Sequence, residues 1–192
     1  EWSSPAPTIH LPDSTALIVG VGGIGRETAR LCKEFGMNVF GVDPKPTEVQ
    51  NIIDKIYLPD KMKQILPSAD FVISTVPETP YSEKMFSAEE FRLMKNSAYF
   101  INIGRGSTVS LNDLNNAISI GEIAGAALDV FEIEPLPKDH PLWKQENIII
   151  TPHIAAEGPY LEERRTGIFI NNCVRFNKGE NLINVVDKEQ WF

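Results

Sequence analysis

The chain has 192 residues, 42% hydrophobic and 23% charged, which is typical of a folded globular protein and not of a disordered or fibrous one. Its formal net charge is −8 and no cluster of Lys and Arg stands out, so we expect no nucleic-acid partner, whose phosphates a basic surface would have to neutralise. No apolar stretch approaches the ~20 residues that span a bilayer, and no N-terminal signal segment is visible, so we expect no membrane partner and a cytoplasmic location. Cys32 and Cys173 lie in predicted helices and are too few for a disulfide framework, so we expect reduced thiols.

The first predicted elements surround a glycine-rich turn. Residues 1–12 hold three prolines and no periodicity, and we interpret them as a lead-in strand or linker. A short apolar strand over residues 16–19 leads directly into the sequence GVGGIG at residues 20–25. A helical pattern then runs through Phe35 and is closed by a glycine. A second apolar strand over residues 39–42 follows and ends at an aspartate.

Strands and helices alternate through the middle of the chain. Further buried strands are predicted over residues 71–75, 99–103, 124–130 and 148–151. One helix is predicted over residues 87–94, with Ser87 as N-cap and Glu90 in the capping-box position, and another over residues 111–120, closed by Gly121. Continuous apolar strands that alternate with helices indicate a parallel sheet with helices on both faces. The predicted fold class is therefore α/β, a Rossmann-like doubly wound domain.

The last part of the sequence differs in character from the part before His153. A long helix is predicted over residues 157–178, with Pro159 near its start and Gly179 past its end. The tail contains a strand-like segment over residues 182–186 and ends in two aromatic residues. Such a tail normally packs onto another surface, so we expect its partner to lie outside this sequence.

The glycine-rich turn predicts a dinucleotide site. Gly20 allows the tight turn, Gly22 lets the backbone approach a pyrophosphate, and Gly25 permits close packing of the helix on the sheet. The helix N-terminus adds N–H groups and a favourable dipole for an anion. Gly23 and Ile24 complete the turn and belong to the same predicted set. Such a motif alone is weak evidence because glycines also form simple turns, but here a strand precedes it and a helix follows.

An acidic residue at the end of the second strand predicts the choice of dinucleotide. Asp43 lies 23 positions after Gly20 (43 − 20). A carboxylate there hydrogen-bonds the ribose hydroxyls and repels a 2′-phosphate, which favours NAD over NADP as the cofactor. Lys45 stands close by in the sequence and leaves the strictness of that preference open.

Three later motifs resemble a known family. The segments IGRG at residues 103–106, LDVFEIEP at 128–135 and TPH at 151–153 resemble the motif series of the D-2-hydroxyacid dehydrogenases, from about Leu11 to the C-terminus. The resemblance implies that Arg105, Glu134 and His153 are catalytic and that Asp129 contacts the nicotinamide carboxamide. With the glycine turn included, the predicted cofactor-binding residues lie at strand ends: Gly20, Gly22, Gly23, Ile24, Gly25, Asp43, Val76, Pro77, Ile103, Gly104, Arg105, Asp129 and His153.

The chemistry of a 2-oxo acid suits these residue types. Arg105 carries a guanidinium fork that matches a carboxylate and stays charged. His153 can donate or accept a proton near neutral pH, and Glu134 would orient its ring and favour the protonated form. The hydride chemistry itself belongs to the nicotinamide.

Each of these residues also has a plainer interpretation. Arg105 lies between two glycines and can be a loop cation. Glu132 competes with Glu134, and only the position directly before proline, through the resemblance, favours the latter. Of the three histidines, His10 and His140 are interpreted as structural, whereas the third follows a predicted strand at its C-terminal end, where open α/β sheets place ligands.

Two details refine the resemblance. Formate dehydrogenases, which are close relatives, carry Gln where this chain has Glu134, and this argues against formate as a substrate. Ala156 stands where a glycine is common in the family, which affects the fine geometry near the nicotinamide. We expect an NAD-binding domain over residues 1–156 and a hinge helix with tail over residues 157–192 that returns to a substrate domain outside the sequence.

The sequence thus predicts the NAD-binding part of an oxidoreductase. It would interconvert a small 2-oxo acid, such as glyoxylate or hydroxypyruvate, and its D-2-hydroxy acid, and the full-length protein would be a homodimer. This chain alone would bind NAD but turn over poorly. Two alternatives remain: an NAD-dependent regulatory module like the co-repressors that resemble this family, and a stable domain without activity. No cluster of His, Cys and carboxylate residues has metal-ligand spacing, so no metal is predicted.

Overall fold

A computed structural model describes residues 8–45 and 51–189 of the chain. The chain divides into two compact units, Glu1–Pro152 and His153–Phe192. Part of the predicted lead-in, residues 1–7, and the two terminal aromatic residues fall outside the described residues. No helix in the described part of the chain is long and apolar enough to cross a membrane.

The first unit is built around one parallel sheet of seven strands. Their order is β3-β2-β1-β4-β5-β6-β7, and every pair of neighbours is parallel. The strands are β1 (Thr15–Val19), β2 (Asn38–Val42), β3 (Lys55–Tyr57), β4 (Phe71–Ser74), β5 (Tyr99–Asn102), β6 (Gly125–Leu128) and β7 (Ile148–Ile150). The chain moves outwards from β1 to β3 and then returns to β4 on the other side, so the strand order reverses between β1 and β4. A doubly wound sheet places its ligand at such a reversal, beyond the carboxyl ends of the strands.

Helices lie on both faces of this sheet. The α-helices are α1 (Gly23–Glu34), α2 (Met62–Ile65), α3 (Ala88–Leu93), α4 (Leu111–Ser119) and, in the second unit, α5 (Leu161–Lys178). Short 3-10 turns span Leu11–Asp13, Pro59–Lys61, Leu66–Ser68, Gly106–Thr108 and Pro141–Lys144. Cys32 on α1 and Cys173 on α5 are free thiols, and burial raises the pKa of the Cys32 thiol.

Two apolar cores, one on each face, hold the helices to the sheet. Side chains alternate along β1, so Leu17 joins the larger core together with Phe91 of α3 and Leu114 of α4. Ile18 points to the other face, where it packs in the smaller core with Ala29 of α1. The Rossmann-like doubly wound architecture predicted from the alternation of elements is confirmed.

The face that carries α1 is less completely covered towards β7. Phe71, Tyr99, Ile101 and Ile149 contribute to the lining of a depression of about 390 Å³ there. The rings of Phe71 and Tyr99 are stacked with their centroids 5.9 Å apart. Phe71 and Tyr99 are the first residues of their strands, so this depression lies away from the carboxyl edge, where the predicted cofactor site lies.

Three local predictions differ from the structure. The three-residue edge strand β3 was not predicted, because it is too short to show periodicity. Helix α5 begins at Leu161 and not at residue 157: Pro159 disfavours helix in the residue before it, and Tyr160 has a left-handed backbone, φ 66°. The predicted strand over residues 182–186 is wrong.

The backbone of the tail finds its hydrogen bonds on the neighbouring helix and not in a sheet. The Asn172 side chain on α5 accepts a hydrogen bond from the Ile183 N–H and donates one to the Ile183 carbonyl, both at 2.9 Å. A strand needs a neighbouring strand for these groups, and here an amide side chain takes that place. The largely apolar segment over residues 182–186 therefore does not produce a strand.

The capping box of α3 supplies a testable source of stability. Glu90 is only 5% exposed, and its carboxylate accepts hydrogen bonds from the Ser87 N–H at 3.0 Å and the Ser87 hydroxyl at 2.8 Å. Lys63 forms an ion pair with the same carboxylate at 3.2 Å. Burial alone would raise the pKa of Glu90, but the bonds from Ser87 and Lys63 outweigh it and hold the pKa below its ordinary value.

Replacing Glu90 with Gln is expected to lower the free energy of unfolding by about 1 kcal/mol at neutral pH. Because the pKa is lowered on folding, the stabilisation is present above the unfolded-state pKa and is lost as the pH falls through the folded-state pKa. Denaturant unfolding at pH 7 and near pH 3 measures this change. Glu89→Gln is the control, because Glu89 binds the same lysine but its side chain is 62% exposed. An effect of Glu90→Gln that does not shrink in acid would contradict the prediction.

Candidate nucleotide and catalytic site

The predicted site residues of the first unit gather at one edge of the sheet. Because all seven strands are parallel, their carboxyl ends meet there. The loop after β1 carries the glycines, the loop after β2 carries Asp43, and the loop after β4 carries Val76 and Pro77. The loops after β5 and β6 carry Arg105 and Asp129. The fold thus brings together residues that are more than a hundred positions apart in the sequence.

The glycine turn has a backbone that only glycine tolerates at two positions. Gly20 has φ 91°, in the left-handed region, and its N–H donates to the Val42 carbonyl at 2.8 Å. A Cβ on Gly25 would lie 2.0 Å from the Gly20 carbonyl oxygen. Helix α1 therefore approaches the end of β1 so closely that no side chain fits between them.

The outer part of the same turn is open. A Cβ on Gly22 or Gly23 would meet nothing within 4 Å. Gly22 is the N-cap of α1 and has no side chain that competes for the N–H groups of the first helical turn. The side chain of Ile24 is 59% exposed. A bare helix N-terminus behind an open backbone fits the pyrophosphate of a dinucleotide.

Asp43 is tied to the glycine turn by its side chain. One carboxylate oxygen accepts a hydrogen bond from the Val21 N–H at 2.8 Å, and the other accepts one from the Lys45 N–H at 2.8 Å. The backbone of the glycine turn thus orients the Asp43 carboxylate. Gly20 and Gly25, the first and last glycines of that turn, are in close contact. This couples the predicted ribose-binding group to the predicted pyrophosphate-binding backbone.

The loop after β4 packs between the glycine turn after β1 and the Arg105 loop after β5. The Thr75 hydroxyl donates to the Gly20 carbonyl at 2.6 Å, which fixes the peptide that Gly25 contacts. Val76 is buried, and its backbone would lie 3.0 Å from a Cβ on Gly20 and 2.6 Å from one on Gly104. The close approach of three backbones explains the glycine at position 104 and couples the glycine turn to the loop that carries Arg105.

The Arg105 loop is in turn packed against the loop that carries the two glutamates. A Cβ on Gly106 would lie 1.9 Å from the Phe131 carbonyl oxygen, so only glycine fits there. The Phe131 N–H donates to the Glu134 carboxylate at 3.0 Å. Arg105 is exposed, and its guanidinium donates to the Gly104 carbonyl at 2.8 Å.

The two glutamates of that loop have different contacts. The Glu132 carboxylate accepts a hydrogen bond from the Leu111 N–H at 3.1 Å and so caps the start of α4. Glu134 bonds back to its own loop. The structure therefore gives Glu132 a role in stabilising a helix terminus, which is independent of the family resemblance that favours Glu134.

Asp129 is buried, 4% exposed, directly after β6. The Thr151 hydroxyl, directly after β7, donates to its carboxylate at 2.6 Å. The Asp129 N–H donates to the Asn102 carbonyl at 3.0 Å, which joins the ends of β6 and β5. A buried carboxylate held in this way has a fixed orientation, as recognition of an amide requires.

His153 is the first residue of the second unit. It is exposed, and its backbone is left-handed, φ 55°. A non-glycine residue with positive φ is uncommon, and this one follows the last strand, β7, by three residues. The other histidines have local contacts: His10 pairs with Asp13, and His140 accepts from the Leu142 N–H.

Three polar residues at this edge were missed by sequence reasoning. Thr75, Asn102 and Thr151 each follow or end an apolar strand, and each bonds to a loop that carries predicted site residues. Their position at strand ends was the one sequence signal for a role in the site. A single Thr or Asn is common at strand ends for other reasons, so this signal did not distinguish them. In the described part of the chain, no group of three or more His, Cys, Asp or Glu residues is placed to hold a metal ion.

Comparison with known proteins relates this architecture to enzymes. Residues 1–155 match the family model described as "D-isomer specific 2-hydroxyacid dehydrogenase, NAD binding domain". The chain is 37% identical over 173 residues to a glyoxylate reductase of Korarchaeum cryptofilum, an alignment that covers 90% of this chain and 52% of the relative. The chain thus spans about half the length of that relative.

Solved structures give the same result. A probable 2-hydroxyacid dehydrogenase from Rhizobium etli, in complex with NADP, HEPES and L(+)-tartaric acid, superposes with a TM-score of 0.91 at 29% identity, over 100% of this chain and 61% of the other. An NADPH-dependent glyoxylate/hydroxypyruvate reductase from Sinorhizobium meliloti gives 0.91 at 28% identity, with the same coverage. This chain belongs to the D-isomer specific 2-hydroxyacid dehydrogenase family, of which it contains the NAD-binding domain.

Proposed function

We propose that the protein containing this chain is a reductase of small 2-oxo acids, such as glyoxylate or hydroxypyruvate, that forms the D-2-hydroxy acid with NADH. The observation that carries the proposal is the backbone packing at the carboxyl edge of the sheet. Gly104 packs on Val76, whose backbone also lies close to Gly20 of the glycine turn, and Gly106 packs on Phe131 of the Glu134 loop. A cofactor on the glycine turn and an anion at Arg105 would therefore be neighbours.

Four residues of the chain would have distinct roles in the reaction. Arg105 would hold the substrate carboxylate by a bidentate pair, which fixes the orientation of the 2-oxo group. His153 would donate a proton to the carbonyl oxygen, and Glu134 would orient the imidazole and favour its protonated form. Asp129, held by Thr151, would accept a hydrogen bond from the nicotinamide carboxamide. The nicotinamide, when bound, supplies the hydride.

Turnover of glyoxylate and hydroxypyruvate by the complete protein, followed through NADH absorbance, tests the activity. Saturable consumption of NADH with a D-2-hydroxy acid as product would support the proposal. Binding of NADH without turnover of any 2-oxo acid would refute it and favour the regulatory-module alternative.

The cofactor preference is proposed to be NADH over NADPH, with Asp43 as its source. The carboxylate is held against the glycine turn and would face the adenosine ribose, where it would repel a 2′-phosphate. The two solved relatives described above carry or use NADP(H), so the preference is a property to be measured in this chain.

Asp43→Ala is expected to tighten NADPH binding by about tenfold and to weaken NADH binding, because repulsion and a ribose hydrogen bond are lost together. Fluorescence titration of the purified chain with each cofactor measures both affinities. Asp13→Ala is the matched control, since it removes the same charge at the start of β1, on the opposite edge of the sheet. NADPH that binds more tightly than NADH to the unaltered chain would contradict the assignment.

A further inference from the structure

Asn102 occupies an unusual position among the predicted site loops. It is the last residue of β5, and no part of it is exposed. Its side-chain oxygen accepts a hydrogen bond from the Gly104 N–H at 3.0 Å, and its side-chain nitrogen donates one to the Arg105 carbonyl at 3.1 Å. Both halves of the buried amide are thus used on the single loop that carries Arg105.

A second side chain acts on the same carbonyl. The Thr108 hydroxyl donates to the Arg105 carbonyl at 2.6 Å, and Thr108 is fully buried. The Arg105 guanidinium bonds back to the Gly104 carbonyl at 2.8 Å. The Arg105 carbonyl is therefore held by two buried side chains as well as by the Thr108 N–H at 3.3 Å, which gives the peptide group that follows the Arg105 Cα one defined position.

This polar cluster satisfies the backbone of the loop and at the same time fixes the residue that the loop carries. Burying an amide or a hydroxyl costs free energy unless it is hydrogen-bonded, and here each buried side chain finds its partner on the loop that presents Arg105. Here two buried polar side chains converge on one carbonyl of an exposed arginine. The reactive geometry of an enzyme is set by such supporting groups, and a misplacement of about 1 Å can cost about 100-fold in rate.

We propose that Asn102 and Thr108 are positioning residues for Arg105, a role that rests on the proposed function of Arg105 as the carboxylate anchor. The two side chains differ in what else they hold. The Asn102 amide also binds the N–H of Gly104, a predicted cofactor-binding residue, whereas the Thr108 hydroxyl binds the Arg105 carbonyl alone. Loss of the Thr108 hydroxyl is therefore expected to raise KM for the 2-oxo acid with NADH affinity within twofold of the unaltered protein, and loss of the Asn102 amide to raise that KM more than it weakens NADH binding.

The test uses steady-state kinetics of the complete protein with glyoxylate and NADH. Asn102→Ala is expected to raise KM for glyoxylate by about tenfold and to weaken NADH binding by less than that, because the amide also holds Gly104. Thr108→Val, which keeps the shape and the buried position, is expected to shift KM in the same direction, and Thr108→Ser to restore it. Because Thr108→Val is nearly isosteric, it tests the proposal even where Asn102→Ala fails to fold.

Two controls separate positioning from general damage. Ser74→Ala alters the residue paired with Asn102 on β4, which is equally buried and whose hydroxyl has no hydrogen-bond partner among the described residues. Asn96→Ala removes an exposed asparagine that donates to the Gly121 carbonyl. Both are expected to leave KM for glyoxylate unchanged. In an Arg105→Ala background, Asn102→Ala should add less than twofold to KM, because the group it positions is gone.

The outcomes distinguish the two proposals. A complete protein that reduces no 2-oxo acid overturns the proposed function and this inference with it. An active protein in which Asn102→Ala and Thr108→Val leave KM unchanged overturns the inference alone. So does a loss that affects NADH and glyoxylate equally, or one that persists in the Arg105→Ala background.

Discussion

Replacing His153 with Ala is expected to lower kcat of the complete protein by about 10²–10⁴-fold, the usual contribution of a positioned acid or base. The hydride can still reach the carbonyl carbon, but the oxygen then receives its proton from water and not from a fixed donor. The affinity for NADH is measured in parallel, because His153 is also among the predicted cofactor-binding residues. Single-turnover kinetics under saturating NADH measures the step directly.

A matched histidine variant controls for this experiment. His10→Ala removes an exposed imidazole that pairs with Asp13 before β1 begins, so kcat should not change. Turnover of His153→Ala within tenfold of the unaltered protein would exclude His153 as the proton donor. The proposed reaction would then need another proton donor, and Glu134 would be the first residue to examine.

Gly25→Ala is expected to lower both the stability of the fold and the affinity for NADH, whereas Gly23→Ala is expected to leave the stability of the fold unchanged. A Cβ at position 25 would lie 2.0 Å from the Gly20 carbonyl oxygen and 2.9 Å from the Thr75 hydroxyl. The first of these is backbone, which no change of rotamer can relieve, so α1 must move away from β1. Overpacking of this kind costs about 1–3 kcal/mol. If the overpacking is relieved by a shift of the glycine turn, the affinity for NADH is expected to fall by about 10- to 100-fold.

Gly23 makes the comparison specific, since a Cβ there meets nothing within 4 Å. Both substitutions add one methyl group within the first turn of α1, so the difference in stability between them reports the space around position 25. Thermal unfolding measures that difference, and fluorescence titration with NADH shows how much of the cost reaches the cofactor site. Equal melting temperatures of the two variants would contradict the close-packing interpretation.

Much of the fold follows from local sequence pattern. The strands β1, β2, β4 and β5 are short apolar runs bounded by turn residues, and such runs are visible without any tertiary information. The helix ends were also readable: Gly36, Gly121 and Gly179 all have positive φ just beyond a helix, as a C-terminal glycine should. The edge strand β3 and the tail over residues 182–186 were missed or misassigned, because short strands depend on which neighbour is available for pairing.

The candidate site divides in the same way. The residue types that follow each strand can be read directly from the sequence: the glycine turn, Asp43, Arg105 and Asp129 all occupy strand ends, and the alternation of elements gives the order of those ends. Parallel strands then place those ends at one edge, so their convergence could be predicted from topology alone.

How those loops are held relative to one another depends on contacts that form only in the packed fold. Distant segments are joined there by backbone atoms and buried polar groups. Gly106 packs closely on Phe131, the Thr75 hydroxyl donates a hydrogen bond to Gly20, and the Asn102 amide donates one to Arg105. Such contacts leave little trace in a single sequence, because a glycine, a threonine or an asparagine is compatible with many loops. The choice among those loops is made by which backbones meet at van der Waals distance and which buried donors find an acceptor, and both depend on the packed fold.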